Sequence, residues 1–302
     1  MGKFNRRTTA EAVSIDIDLA GRHAIVTGAN TGIGRETARV LALRGASVTM
    51  ACRNLDKAAA ARDEILAASP RIGKDQLEVM RLDLGQLAQI RDFARAFLAT
   101  NRPIHLLINN AGVMLPDRRE TADGFEAHFG VNHLGHFLLT RLLLERIRTS
   151  APARIINVSS DALHFSSLTE SLQDLNWEHR SFSGWRSYGD SKLMNVLFTN
   201  ELTRRHGSDG VISNALHPGI VKTELGRDQP WWMNAVGLLM LPISKSPEQG
   251  AATSLFLATD EELGRRGAGY FADCEPGRVH RLSGNARLEN MLWKLSEELV
   301  GL

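Results

Sequence analysis

The sequence predicts an α/β protein with one doubly wound parallel sheet of about seven strands and helices on both faces. Three observations carry that prediction. Short apolar, β-branched runs alternate with longer segments of helical period along all 302 residues, which is the pattern of βαβ units. One run, Ile104-His-Leu-Leu-Ile108, is almost wholly apolar, as a strand covered on both faces should be. A glycine-rich turn separates the first strand from the first long helix.

The strands are expected at His23–Thr27, Ala46–Ala51, Leu77–Leu82, Ile104–Asn109, Arg154–Val158, Val211–Leu216 and Gly269–Phe271. The helices are expected at Gly34–Arg44, Leu55–Ala68, Leu87–Ala99, Asp123–Arg148, Trp185–His206, Pro247–Leu257 and Ala286–Leu299. Strict alternation fits a single domain over residues 1–302, with an N-terminal extension over residues 1–20. The last helix carries Leu288, Met291, Leu292, Leu295 and Leu299 on one stripe, which reads as packing against the domain. No internal repeat or low-complexity linker interrupts this order.

Composition narrows the function classes. With 36 basic and 34 acidic residues, the net charge of +2 gives no argument for nucleic acid or an anionic membrane as partner. The longest apolar run, Trp231–Ile243, is broken by Asn234 and Pro242 and is too short to span a bilayer. Met1–Ala10 is polar and basic and lacks the apolar stretch of a signal peptide, so a cytoplasmic location is expected. Cys52 and Cys274 have no second Cys or His at metal-ligand spacing and read as reduced thiols.

The first strand runs into Thr27-Gly28-Ala29-Asn30-Thr31-Gly32-Ile33-Gly34. Glycines at this spacing let backbone approach a pyrophosphate, whose charge then meets a helix N-terminus. The competing reading is a glycine-rich turn with no ligand. At the end of the second strand an acid would select NAD through the ribose 2′-hydroxyl, whereas an Arg suits the 2′-phosphate of NADP. Arg53 stands there, followed by Asn54. Asp56, inside the next helix, is the residual argument for NAD. The balance favours NADP(H).

Tyr188-Gly-Asp-Ser-Lys192 puts a phenol and an ammonium on one helical face. A nearby ammonium stabilises phenolate, so Tyr188 could exchange a proton with an alcohol or carbonyl oxygen. The chain has only two tyrosines, which makes the pairing less casual.

These pieces occur together in a known order. Thr27–Gly34, Asn109-Asn110-Ala111-Gly112, Asn132, Ser159-Ser160, Tyr188 with Lys192, and Pro218-Gly219 resemble the Rossmann-type short-chain dehydrogenase/reductases over roughly residues 20–225. Ala51-Cys52-Arg53, Phe129–Phe137, Ser191-Lys-Leu193, His217-Pro-Gly219, Tyr270–Cys274 and Leu292–Ser296 resemble the branch of retinol dehydrogenases and WW-domain oxidoreductases.

The resemblance implies roles. Tyr188 is the acid/base, Lys192 lowers its pKa and bonds the nicotinamide ribose, Ser160 holds the substrate oxygen, and Asn132 serves a water relay. Ser160 is preferred to Ser159 because the family usually employs the second serine. Gly28, Asn30, Thr31, Gly32, Ile33 and Gly34 hold the pyrophosphate, and Arg53 and Asn54 the adenosine ribose. Asp83 bonds the adenine with Leu84 beside it. Asn109, Asn110, Ala111 and Gly112 line the cofactor floor, and Pro218, Gly219 and Thr223 meet the nicotinamide. The expected substrate is a lipophilic aldehyde, ketone or alcohol. The resemblance leaves open a homodimer paired through Asp123–Arg148 and Trp185–His206. The hydrophobic anchor of the membrane-bound retinol dehydrogenases and the WW modules have no counterpart in the chain as read.

Other features have two readings. Residues 221–246 are expected to form a substrate-loop region, with Trp231–Met240 as an apolar lid or else a core helix, an oligomer contact or a shallow membrane contact. Leu163–Trp185 is either the border of the substrate mouth or a surface flap. His133 and His136, three apart, are expected to be packing or hydrogen-bonded histidines rather than metal ligands. Two other functions are weighed: an NADP(H)-binding regulator without catalysis, which has no use for Ser160, Tyr188 and Lys192, and a methyltransferase using S-adenosylmethionine, which leaves Tyr188 and Lys192 unexplained. Fluorescence of bound NADPH separates the last from the others.

Overall fold

Alternate residues of the central strands go to opposite faces of the sheet. In the first strand Ala24 and Val26 join one core while Ile25 joins the other, and Leu106 and Ile108 part from Leu107 in the same way. The computed structural model describes residues 4–221 and 244–302. Among them eight strands form one sheet: β1 (His23–Thr27), β2 (Ser47–Cys52), β3 (Leu77–Arg81), β4 (Leu106–Asn109), β5 (Ala153–Val158), β6 (Val211–His217), β7 (Tyr270–Ala272) and β8 (Glu275–Pro276). Their order is β3-β2-β1-β4-β5-β6-β7-β8, parallel throughout except for the antiparallel pair of β7 and β8. The chain changes its direction of growth between β1 and β4, and that switch point opens a crevice at the carboxyl ends of the strands.

The helices are α1 (Ala10–Val13), α2 (Gly32–Leu43), α3 (Leu55–Ala68), α4 (Leu87–Ala99), α5 (Gly135–Thr149), α6 (Gly184–His206), α7 (Pro247–Gly250), α8 (Ala252–Thr259) and α9 (Ala286–Val300). One face of the sheet is packed by α4, α5, α6 and α9 around Phe97, Phe137, Leu197 and Phe198, and the other by α2, α3 and α8 around Leu41, Met50, Ile65 and Leu255. Each fully buried large side chain in these layers is worth about 2 kcal/mol of burial.

Four expectations change. The eighth strand is new: residues 272–275 turn back through Asp273 (φ 54°) and Cys274 (φ 63°), a hairpin turn built without glycine or asparagine. The helix expected from Asp123 begins later, with a π-helical turn over His128–Leu134 that continues into α5. Asp123 instead accepts the Leu87 backbone N–H at 2.8 Å and so caps α4. The helix expected over Pro247–Leu257 is broken at Ala251 into α7 and α8. The N-terminal extension contains α1, capped by Thr9 and tied to α2 by the ion pair of Glu11 with Arg39 at 2.5 Å.

Helix α9 lies over α5 and α6. Trp293 is held between the guanidinium groups of Arg141 (4.9 Å) and Arg205 (4.5 Å), and Asn200 donates to Glu289 at 2.7 Å. The outer surfaces through which the two long helices would pair in a homodimer are thus partly covered by the chain's own last helix.

Candidate active site

The cofactor end of the crevice is a closed knot around Thr27, the last residue of β1. Its hydroxyl oxygen accepts the backbone N–H groups of Asn110 and Ala111, each at 2.9 Å, and faces His136 Nε2 at 2.9 Å. His136 Nδ1 lies 3.1 Å from the Asn132 carbonyl, which can only accept, so Nδ1 carries the proton and Nε2 accepts from Thr27. Burial holds this ring neutral, its pKa pulled down to about 4. His136, expected to pack or to hydrogen-bond, does the latter and joins the glycine loop to the helix bearing Asn132. The sequence signal was its i,i+4 spacing from Asn132.

Asn110 also donates to the Thr27 carbonyl at 2.7 Å. Gly28 (φ 65°) turns the loop, and a Cβ at Gly34 would stand 2.4 Å from both the Gly28 oxygen and Asn110 Nδ2. The loop therefore packs backbone on backbone. Thr31 occupies the cap position of α2 but its side chain makes no capping hydrogen bond. Its first N–H groups suit a phosphate. Cys52 supports the loop from below, bonded by the Ala29 and Asn30 backbone, its thiol pushed up to about 11 by burial.

At the adenosine end, Arg53 is exposed and its guanidinium has no ion-pair partner among the described residues. Asn54 is spent differently from expectation: its side chain accepts the Lys57 N–H at 2.9 Å and caps α3. Asp56 sits in the exposed first turn of that helix. Asp83 accepts the Gly85 N–H at 3.0 Å, which fixes the turn after β3. Leu84 is buried in the core beside Gly135.

Asn109 turns inward to Asn157 (2.8 Å) and Thr140 (3.1 Å), which leaves Asn110, Ala111 and Gly112 as the floor. Asn132 lies in the π-helical turn, a device that re-aims helical groups at functional sites. Its carboxamide clamps Val113 on both sides, accepting from N at 2.8 Å and donating to O at 3.0 Å, and reaches Ser191 at 3.0 Å. Gly112 stands between Asn132 and Lys192.

The two adjacent serines part as strand geometry requires. Ser159 is buried and donates to the Lys192 carbonyl at 2.7 Å. Ser160 accepts the Ala162 N–H at 3.2 Å and stands near enough to Tyr188 for its hydroxyl to lower the phenol's pKa against burial. Gly189 makes that meeting sterically possible: a Cβ there would lie 2.6 Å from the Ala162 carbonyl. Lys192 Nζ donates to the Val158 carbonyl at 3.0 Å and stands 5.4 Å from the centre of the Tyr188 ring.

The electrostatics differ from the expected depression of the phenol. Burial pushes Tyr188 up to about 12, against the Ser160 hydroxyl, and desolvation brings Lys192 down to about 8. The ammonium is spent on a carbonyl and both groups are dry. Tyr188 is therefore a held proton donor in this arrangement.

The far wall comes from β6 and β7. Pro218 and Gly219 follow β6, and the Lys245 side chain packs on Gly219 and pairs with Asp273. The ends of the expected substrate-loop region meet, with Val221 bridged to Lys245. Thr223 and Trp231–Met240 lie outside the described residues. The stretch Leu163–Trp185 is anchored to α6 through Asp190, which accepts from Ser166 (2.8 Å), the Ser167 N–H (2.6 Å) and Arg180 (3.2 Å). His164, Phe165, Trp185 and Arg186 line an open hollow of about 510 Å³ there.

Comparison with known proteins places this geometry. The profile of the short chain dehydrogenase family matches residues 22–171. Human retinol dehydrogenase 12 is 46% identical over 287 residues, covering 95% of this chain and 89% of its own. The WW domain-containing oxidoreductase of Gallus gallus is 39% identical over 99% of this chain and 72% of its own. A crystal structure of an uncharacterised protein from Mycobacterium paratuberculosis superimposes with a TM-score of 0.77 at 35% identity, covering 95% of this chain and 97% of that one. The chain belongs to the short-chain dehydrogenase/reductase family, on the branch of the retinol dehydrogenases and the WW domain-containing oxidoreductase.

Proposed function

We propose that the protein is an NADP(H)-dependent oxidoreductase that interconverts a lipophilic alcohol with its aldehyde or ketone. The observation that carries the reading is the buried Tyr188 phenol with Lys192 Nζ 5.4 Å from its ring and Ser160 acting on its hydroxyl, at the carboxyl ends of the strands. The lipophilic substrate class rests on the names of the relatives, retinol dehydrogenases among them.

The residues present fit a phosphorylated dinucleotide. The N-terminus of α2, with Gly28, Asn30, Thr31, Gly32, Ile33 and Gly34, suits the pyrophosphate. Arg53, exposed and without an ion-pair partner among the described residues, suits a ribose 2′-phosphate and so favours NADPH over NADH. Asn110, Ala111, Gly112, Pro218 and Gly219 line the remaining length of the crevice. When bound, NADPH supplies the hydride.

The chain's own groups supply proton and position. Ser160 donates a hydrogen bond to the substrate carbonyl oxygen, and Tyr188 gives that oxygen its proton as charge builds there. With a phenol near 12, Tyr188 is protonated at neutral pH, which suits reduction. Lys192 returns positive charge towards the phenolate that results. Asn132 holds the segment after β4 that carries Val113 against α6 through Ser191.

Titration with NADPH and NADH, followed by a panel of lipophilic aldehydes and ketones monitored by absorbance, tests the proposal. Tighter NADPH binding and turnover of hydrophobic carbonyls are expected. Cofactor binding without turnover of any panel member, with Tyr188→Phe indistinguishable, would instead support a non-catalytic regulator.

A further inference from the structure

The chain's two tyrosines converge on one dipeptide. The Tyr188 phenol lies within the influence of Ser160, and the Tyr270 hydroxyl donates to Asp161 Oδ1 at 2.8 Å. Asp161 is also held from β6: its backbone N–H donates to His217 Nδ1 at 3.2 Å, so the ring proton is on Nε2, which faces Asp161 Oδ2 at 3.5 Å. Tyr270 opens β7 and His217 ends β6, so the two neighbouring strands grip the residue that follows Ser160.

We propose that Tyr270, Asp161 and His217 form a clamp that positions Ser160 for proton and hydride transfer, on the reading of Ser160 and Tyr188 given above. Tyr270 and His217 are positioning residues, since they act through Asp161 and the Ser160 backbone.

The chemistry of each member fits. Ser160 leaves β5 in an extended conformation (φ −166°) and caps the single 3-10 turn Asp161–Phe165, so little regular structure fixes it on that side. The Tyr270 ring is 4% exposed and lies against Gly277, where a Cβ would approach it to 2.9 Å. Burial and the Asp161 carboxylate both raise the pKa of this phenol, so it remains a hydrogen-bond donor. His217 is held below its ordinary value by burial, with Asp161 and Asp273 opposing and Lys245 reinforcing, so the ring is neutral.

A clamp and ordinary packing differ in what its removal does. The Asp161 side chain is 56% exposed, so water can replace a lost Tyr270 hydroxyl at small cost in stability. Tyr270→Phe keeps the buried ring. It should leave the melting temperature nearly unchanged and NADPH affinity within about twofold, while lowering kcat by about tenfold, the scale of one hydrogen bond to a charged group. Chemistry then limits the rate more fully, so the deuterium effect from labelled NADPH should rise.

The deciding experiment is a cycle of Tyr270→Phe with Ser160→Ala, measured on kcat. If the clamp works through Ser160, Tyr270→Phe has no further effect once Ser160 is Ala. Equal losses in both backgrounds, or an unchanged kcat in the single variant, overturn the proposal. Should Tyr270→Phe fold poorly, Asp161→Asn and Asp161→Ala replace it. Asn keeps an acceptor for Tyr270 and should stay within about threefold of the parent, whereas Ala should lose about tenfold. Equal kcat for the two also overturns the clamp. Absence of turnover in the parent protein would refute the oxidoreductase reading itself, which is a separate result.

Discussion

The two ends of the crevice are built on opposite plans. At the cofactor end, around Thr27, Asn110 and His136, donors and acceptors are matched within the protein, and the glycine loop packs backbone on backbone. At the Ser160–Tyr188 corner the reactive groups are dry and sparsely bonded: the phenol is pushed up to about 12 and the ammonium down to about 8. A rigid seat suits a cofactor of constant shape. A pair of desolvated titratable groups keeps its proton transfer in reserve for a substrate oxygen.

The comparison can be broken at several points, taken from the largest expected effect to the smallest. Tyr188→Phe should lower kcat by about a thousandfold, the upper range of general acid catalysis, while NADPH affinity measured by fluorescence stays within about threefold. A parallel loss of both would mean that the two ends are not separate. Arg53→Ala should weaken NADPH binding by about thirtyfold and leave NADH unchanged, as for one charge-assisted contact to phosphate. Equal effects on the two nucleotides would remove Arg53 from the ribose site.

The pH profile sharpens the corner. The pKa of Lys192 is depressed to about 8, so its charge is present below that pH and lost above it. The reduction rate should therefore fall as pH rises through about 8, whereas Tyr188 remains protonated up to about 12. A rate that climbs through pH 8 would contradict this assignment.

The smallest effect concerns stability. His133 and His136 are buried with pKa values of about 3 and 4, below the ordinary 6.5. The unfolded chain binds more protons than the folded one between those values. Their contribution is thus complete above pH 6.5 and is lost as pH falls towards 4, at up to about 1.4 kcal/mol per pH unit for each ring. Melting curves across that window should show the decline. A flat melting temperature would mean that the rings are not neutral in the fold.

Much of this arrangement was legible in the sequence because it rests on local signals. Strand β1 and helices α3 and α4 begin and end where apolar period and capping residues indicate. The glycine loop and the Tyr188–Lys192 pair are likewise short-range patterns. What escaped depends on partners distant in the chain. The β7–β8 hairpin turns through Asp273 and Cys274 with no glycine or asparagine to mark it, and with Thr253 bonding the Cys274 N–H at 3.2 Å and Lys245 on Asp273. Asp123 looked like a helix residue because its partner, the start of α4, lies 36 residues earlier. The roles of His136, Asp190 and Tyr270 were hidden for the same reason, since each is defined by contacts that only the folded sheet brings together. Asn54 and Leu84 show the reverse case. Beside the cofactor roles expected of them, Asn54 caps α3 and Leu84 packs in the core, uses that the family pattern does not reveal.

The most direct test of the central claim is transfer of deuterium from NADPH labelled at the transferable nicotinamide position to a hydrophobic aldehyde, read by mass spectrometry of the alcohol. The account predicts one deuterium on the carbinol carbon with the parent protein, and loss of that transfer in Tyr188→Phe while NADPH remains bound. Transfer at an undiminished rate in Tyr188→Phe would contradict it.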